Sequence, residues 1–253
     1  TLDFESSFSS GYRLFLGVET PYGVGLRGSY WGFDPKFNEL STRPPANGFG
    51  EVTHPEFGEV DIGSTVPADR ITASTFVDMA VANGELTHRQ PFEVWKIATG
   101  VGVEHARLEQ GYRATLVNDN SGNVGSIDFQ RKFGGTGPSV QLEATLDALP
   151  RVELFGSLRS SLLFGTTKTN FIGGEDLDLT PSLITTDRRE RRDFLTRFEG
   201  RIGSRIYWHR TSRLSLSSTI AMEGQNWIGA GSASSESGSL GLFGLALGSE
   251  LRF

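Results

Sequence analysis

The chain has 253 residues, a formal net charge of −6 at pH 7, no cysteine, 32 glycines and 11% aromatic residues. The missing thiols exclude a disulfide scaffold, thiolate metal sites, a thiol nucleophile and iron–sulfur ligation. The acidic balance, with a pI near 5.3, argues against a nucleic-acid partner, which would require a basic face. No stretch approaches the ~20 apolar residues of a membrane helix. With a mean hydropathy of −0.24, these numbers alone read as a soluble protein. Glycine at this level also disfavours helices, because each interior glycine costs about 1 kcal/mol relative to alanine. The best helical window, residues 71–85, reads at least as well with period two.

Alternation is the main signal along the chain. In residues 12–20, Tyr12, Leu14, Leu16 and Val18 share one face, opposite Arg13, Phe15, Gly17 and Glu19. A Pro-Tyr-Gly turn at 21–23 leads to a strand over 24–34. Residues 35–69, rich in Gly, Pro, Asn and Glu, read as a long loop. A strand over 70–82 follows, with Ile71, Ala73, Val77, Met79 and Val81 in phase, and then a turn at 83–91. Trp95, Ile97, Val101 and Val103 alternate with Lys96 and Glu104 in a long strand over 92–117. The NDNSGN cluster at 118–123 is a turn. The chain returns over 124–146, with a bulge expected at the GGTGP segment, 134–138. After a tight turn at 149–150, Leu154, Leu158, Leu162 and Phe164 alternate with Glu153, Arg159 and Ser161. A second long loop is read over 166–190, then strands over 191–208 and from 214, a Ser/Gly loop at 230–239 and a last strand over 240–253.

Short turns alternate with long loops, and long strands keep an apolar face with no helix to cover it. A soluble sandwich has shorter strands and similar loops at both ends, whereas this asymmetry belongs to an outer-membrane barrel. The expected fold is therefore all-β: a single antiparallel transmembrane β-barrel domain over 1–253, of about ten strands within a range of eight to twelve. Short turns would face the periplasm, and the loops 35–69 and 166–190 the exterior.

The last strand, LGLFGLALGSELRF, places Phe243, Leu245, Leu247, Leu251 and Phe253 on one face. An apolar dyad repeat closing on a terminal Phe resembles the assembly signal read by the barrel-insertion machinery. Several segments share this glycine–aromatic character: GYRLFLGVETPYGVGLRGSYWGFD (11–34), ATGVGVEHARLEQGYRATL (98–116), GPSVQLEATL (137–146), LFGSLRSSLLFG (154–165) and LGLFGLALGSELRF (240–253). Together they resemble the Legionella-type major outer-membrane, pore-forming β-barrel proteins, including planctomycete-like members. The resemblance covers most of the chain outside its two long loops. It implies a bacterial outer-membrane location and a porin-like function, and it carries over no catalytic residues. Members of that family have a further strand ahead of the GYRLFLG segment, for which residues 1–10 are the only candidates here; either these supply it or the original start is missing.

Two faces follow from the period. The lipid-facing set is Leu14, Leu16, Val18, Ile97, Val101, Leu154, Leu158, Leu162, Ile202, Ile206, Leu216, Ile220, Leu245 and Leu247, with Tyr12, Tyr30, Trp31, Trp95, Phe164, Tyr207, Trp208, Trp227 and Phe253 as candidates for interfacial girdles. The pore-lining set is Arg13, Glu19, Arg27, Lys96, Glu104, Glu143, Arg159, Arg197, Glu199, Arg201, Arg205, Glu223 and Glu250. A charge on the lipid face near the midplane costs about 2–4 kcal/mol, so the lumen is their natural place. Rings of Arg and Glu bias ion passage, so the expected function is passive diffusion of ions and small hydrophilic solutes. The alternative is a structural or partner-binding barrel whose mixed charges plug the lumen, as a subunit of a larger envelope assembly.

No enzyme is expected: His54 and His88 are read in connections, His105 near a strand end and His209 in a turn, none in a nucleophile motif. No cofactor or metal is expected, because the acidic stretch GEDLD (174–178) and Asp119 lack regular ligand spacing. The expected partners are outer-membrane lipids and lipopolysaccharide, the latter meeting the basic run DRRERRD (187–193), besides the insertion machinery. A homo-oligomer is compatible with the chain.

Overall fold

The computed structural model describes residues 9–35, 39–44, 46, 50–53, 61–118, 122–210, 214–231 and 238–252. Strands β1 (Gly11–Glu19) and β2 (Val24–Phe33) are followed by three short ones, β3 (Leu40–Thr42), β4 (Gly50–Thr53) and β5 (Asp61–Ser64). Seven long strands complete the chain: β6 (Arg70–Phe92), β7 (Trp95–Asn118), β8 (Gly122–Leu149), β9 (Val152–Glu175), β10 (Leu183–Arg210), β11 (Ser215–Ile228) and β12 (Ser239–Arg252). Antiparallel pairing runs β1-β2-β6-β7-β8-β9-β10-β11-β12, with β3 added beside β6 and β4–β5 forming a separate hairpin. The sheet curls into a half-barrel, as expected of an outer-membrane β-barrel. Strands β1 and β12 end the path, and no pairing joins them among the described residues.

The two-residue period sorts the side chains as the sequence requires. Leu16 faces Gly28, Leu142 faces Leu158 and Ile220 faces Leu247 across neighbouring strands, and these rows form the convex face, where Leu158 and Leu247 are 65% and 79% exposed. On β9 the apolar part of that face runs from Leu154 to Phe164. Eleven residues rise about 33 Å along the strand, and tilted by about 40° they span the ~25 Å band of an outer-membrane barrel. Further from the short turns the convex face becomes polar, carrying the pairs Lys132–Glu109 at 3.2 Å, Arg113–Asp128 at 2.6 Å and Lys168–Glu190 at 3.4 Å.

Several boundaries differ from expectation. Strand β6 continues to Phe92, so the turn lies at Glu93 and Val94 rather than at 83–91. Asn83 and Glu85 are buried on the concave face, and Leu86 is exposed on the convex one; inward polar residues there resemble the composition of a turn. Residues 166–190 are mostly strand, because β9 reaches Glu175 and β10 starts at Leu183. Once the outer face leaves the lipid both faces carry polar residues, and the apolar alternation that marks a strand disappears. No bulge forms at 134–138: Gly137 pairs with Glu104 and Pro138 with Val103 in unbroken register. Glycine serves close approach instead, since a Cβ on Gly137 would strike the Leu162 carbonyl, and one on Gly165 the backbone of Gly134.

The described part of 35–69, expected as loop, includes the strands β3, β4 and β5, and the β4–β5 pair packs against the concave face. Ile62 of β5 is buried with Ile71, Ala73, Ala114, Leu116, Ile127, Phe129 and Phe171 over the concave face of the strand extensions.

Of the girdle candidates, Tyr12 and Tyr30 (ring centroids 5.9 Å apart), Trp95, Phe164 and Trp208 face outward. Trp31, Tyr207 and Trp227 do not: they are buried on the concave face. Trp31 and Tyr207 adjoin Tyr30 and Trp208, and a period of two allows only one residue of each such pair to face lipid. Trp227 is in register with Arg197. Phe253 lies outside the described residues, as do residues 1–8.

Candidate functional site

The concave face gathers the charges. Arg13, Glu19, Arg27, Lys96, Glu104, Glu143, Arg159, Arg197, Glu199, Arg201, Arg205, Glu223 and Glu250 all occupy inward rows, as registers such as Arg27↔Glu85, Glu199↔Arg159 and Arg201↔Glu223 require. Curling brings these rows together across the interior. Arg13 on β1 reaches Glu199 on β10 at 2.7 Å and also contacts Glu223 on β11. Arg197 on β10 reaches Glu104 on β7 at 2.9 Å, and Arg159 on β9 reaches Glu85 on β6 at 3.1 Å. Each of the last two pairs joins strands three intervals apart in the sheet through a single ion pair, so the interior there is one pair of side chains wide.

The pairs form three connected groups. Near the short turns, Glu153 contacts Arg205 and Lys96 (3.7 Å), Lys96 meets Asp147 at 2.7 Å, and Arg205 meets Glu250 at 3.3 Å. At the mouth of this end Arg89 pairs with Glu19 at 3.2 Å. In the middle, Arg27 contacts Glu85 and Gln141 and lies 3.6 Å from Glu143, while Arg159 bonds to Gln141 at 2.5 Å. Beyond it, Arg197 contacts Glu199 and Glu104, Ser161 donates to Glu104 at 2.7 Å, and Arg201 meets Glu223 at 3.2 Å. Arg197 and Glu104 have side-chain exposures of 1% and 0%, so their charges rely on each other rather than on water.

Next along the interior comes an apolar layer that includes Trp31, Met79, Leu108, Phe133, Leu163, Leu195 and Trp227, with Trp227 fully buried. The Trp227 ring lies 5.2 Å from the Arg197 guanidinium, a cation–π contact joining the two layers. Beyond this layer Gln110 and Arg131 donate to the carbonyls of Ala230 and Gly229 at 3.1 and 3.3 Å. The β11–β12 connection is thereby tied to the concave wall.

Sequence reasoning missed Glu85, Gln141, Glu153 and Gln225 as members of the network. Gln141 and Glu153 alternate with outward Leu142 and Leu154, so periodicity already places them on the inward face although the pore-lining set omits them. Glu85 was hidden in the segment read as a turn.

Phe243, Leu245, Leu247 and Leu251, the described members of the expected assembly signal, are exposed on the convex face of β12. His88 and His209 lie within strands rather than in connections. His105 shares a 2.8 Å hydrogen bond with Thr136 on the convex face. Among the described residues no three His, Asp or Glu side chains converge as a metal site; Asp119 and His54 lie outside those residues.

Neither the curated proteins nor the solved structures searched gave a match. The family model described as Legionella pneumophila major outer membrane protein precursor matches residues 3–249, nearly the whole chain. With its outward apolar belt and inward charges, the chain belongs to this major outer-membrane protein family and resides in the bacterial outer membrane.

Proposed function

We propose that the protein is a narrow, porin-like channel that passes ions and small hydrophilic solutes without catalysis. The observation that carries this reading is the segregation of thirteen charges to the concave face through the depth of the apolar belt, with Arg and Glu facing each other across the interior. Opposed charges on facing walls set up a transverse field that orders water and ions at a constriction. The Arg13–Glu199–Arg197–Glu104 group is that constriction, and the inward hairpin β4–β5 narrows the approach from outside. Strand β12, with its exposed Phe243, Leu245, Leu247 and Leu251, serves as the recognition element during insertion.

A second reading, a structural barrel with a filled lumen, draws on the apolar layer around Trp227, Leu163 and Leu195, because barrels of about eight strands are closed by their own side chains. Solute entry into proteoliposomes separates the two. The channel reading expects swelling with small sugars and ions that falls off steeply with solute size. Folded, inserted protein that admits no solute would overturn it in favour of the filled barrel.

A further inference from the structure

A separate cluster of cations lies on the opposite, convex wall, just beyond the apolar belt. The register row Arg107↔Gly134 on β7 and β8 continues as Gly134↔Thr166 and Thr166↔Arg192 on β9 and β10. Two arginines thus flank a floor of Gly134 and Thr166, and nothing stands within 4 Å of where a Cβ on Gly134 would be. One row further out, Lys132 and Lys168 are direct cross-strand partners. Like charges placed opposite each other on neighbouring strands are destabilising, with Cβ atoms only about 5 Å apart. Glu109 and Glu190 pair with these lysines from the outer flanks, at 3.2 and 3.4 Å. Neither Arg107 nor Arg192 makes an ion pair within 4.0 Å among the described residues, although Arg107 lies in the field of the Asp78 carboxylate on β6.

The height of this cluster selects its ligand. On the row below, Thr136 and Phe164 face each other at the upper limit of the belt. Above it the wall carries Gln130 and Asn170, the latter accepting a 3.0 Å hydrogen bond from Arg188. A molecule lying along this wall therefore meets apolar side chains, then four cations around a small-residue floor, then amides suited to hydroxyl groups.

We infer that Arg107, Lys132, Lys168 and Arg192 form a cradle for the phosphate of an outer-leaflet glycolipid, with its acyl chains over the belt and its sugars against Gln130 and Asn170. With each lysine already held by a carboxylate on its outer flank, the phosphate sits between the two lysines and eases their mutual repulsion, and charge-assisted hydrogen bonds to two arginines orient it. The basic run at 187–193 contributes only its outward members, Arg188 and Arg192. Arg189 and Arg191 lie on the concave face, opposite Thr169 and Thr167.

The test uses the full chain in detergent micelles with a bis-phosphorylated, acylated diglucosamine lipid, its dephosphorylated counterpart, phosphatidylglycerol and inorganic phosphate, read by native mass spectrometry. Replacing all four cations by alanine is expected to weaken binding of the phosphorylated glycolipid by roughly tenfold or more, the scale of losing one charge-assisted hydrogen bond. Removing the phosphates from the lipid should cost as much, and Arg113→Ala, a basic change elsewhere on the same wall, should leave binding within about twofold. Heat-modifiable mobility checks the fold, with the milder Lys132→Gln/Lys168→Gln pair as the second variant. Equal binding by a folded variant, or by the dephosphorylated lipid, would overturn the cradle. Phosphatidylglycerol binding as tightly as the glycolipid, or inorganic phosphate displacing it, would overturn the glycolipid assignment.

Discussion

The Arg197 guanidinium holds the interior together at the scale of single residues: it contacts Glu104, Glu199 and Gln225 and lies over the Trp227 ring. Removing one partner of a buried ion pair leaves the other charge uncompensated, at a cost of about 3–5 kcal/mol. Arg197→Met should therefore destabilise the folded protein on that scale in a denaturant titration followed by tryptophan fluorescence, whereas Arg113→Ala, on an exposed pair, should cost less than about 1 kcal/mol. Outside the membrane-spanning part, Asp78 has its pKa raised by desolvation and by the neighbouring carboxylates of Asp34 and Glu109, which outweigh the lowering effect of the Arg107 guanidinium. An acid whose folded pKa is raised binds more protons folded than unfolded, so its contribution to stability is lost as pH rises through that pKa. Asp78→Asn should accordingly raise the melting temperature at neutral pH, and the gain should vanish in acid; a gain that persists there would contradict this origin. Periodicity made all thirteen inward charges legible. It could not choose between adjacent aromatics such as Trp31 and Tyr30, because both are compatible with an interface and only register decides which faces lipid.

Single strands show where the membrane begins and ends. On β9 the outer residues change from Leu154, Leu158 and Leu162 to Lys168 and Asn170, while the inner side chains of Ser161, Leu163, Thr167, Thr169 and Phe171 stay buried. Leu158→Arg lies near the middle of this belt and should cost about 2–4 kcal/mol, falling to about 0–1 for Leu154→Arg close to the short turns. Refolding titrations into lipid vesicles measure both, and equal costs at the two positions would contradict the assigned depth. The existence and order of the long strands were readable from alternation, but their outer ends were not. Residues 166–175 and 183–190 carry polar side chains on both faces, so nothing local distinguishes them from loop, and pairing with β8 and each other makes them strand.

Over the whole molecule, the near-neutral mean hydropathy of −0.24 is what an inside-out arrangement produces, with apolar residues outside and charges within. Fold class and location were legible because they depend on period and on the asymmetry of connections. The layering of the interior was not. Arg13 meets Glu199 186 positions away in sequence, and only the curl of the sheet brings β1 against β10. The central claim, that this cross-wall network is the constriction of a conducting lumen, is tested most directly by single-channel recording in planar bilayers, comparing the unaltered protein with Arg13→Ala. Small, discrete ohmic steps for the unaltered protein are expected, rising in the variant and shifting towards cation preference as Glu199 and Glu223 lose a partner. Two folded, inserted proteins that give no steps, or steps indifferent to Arg13, would contradict it.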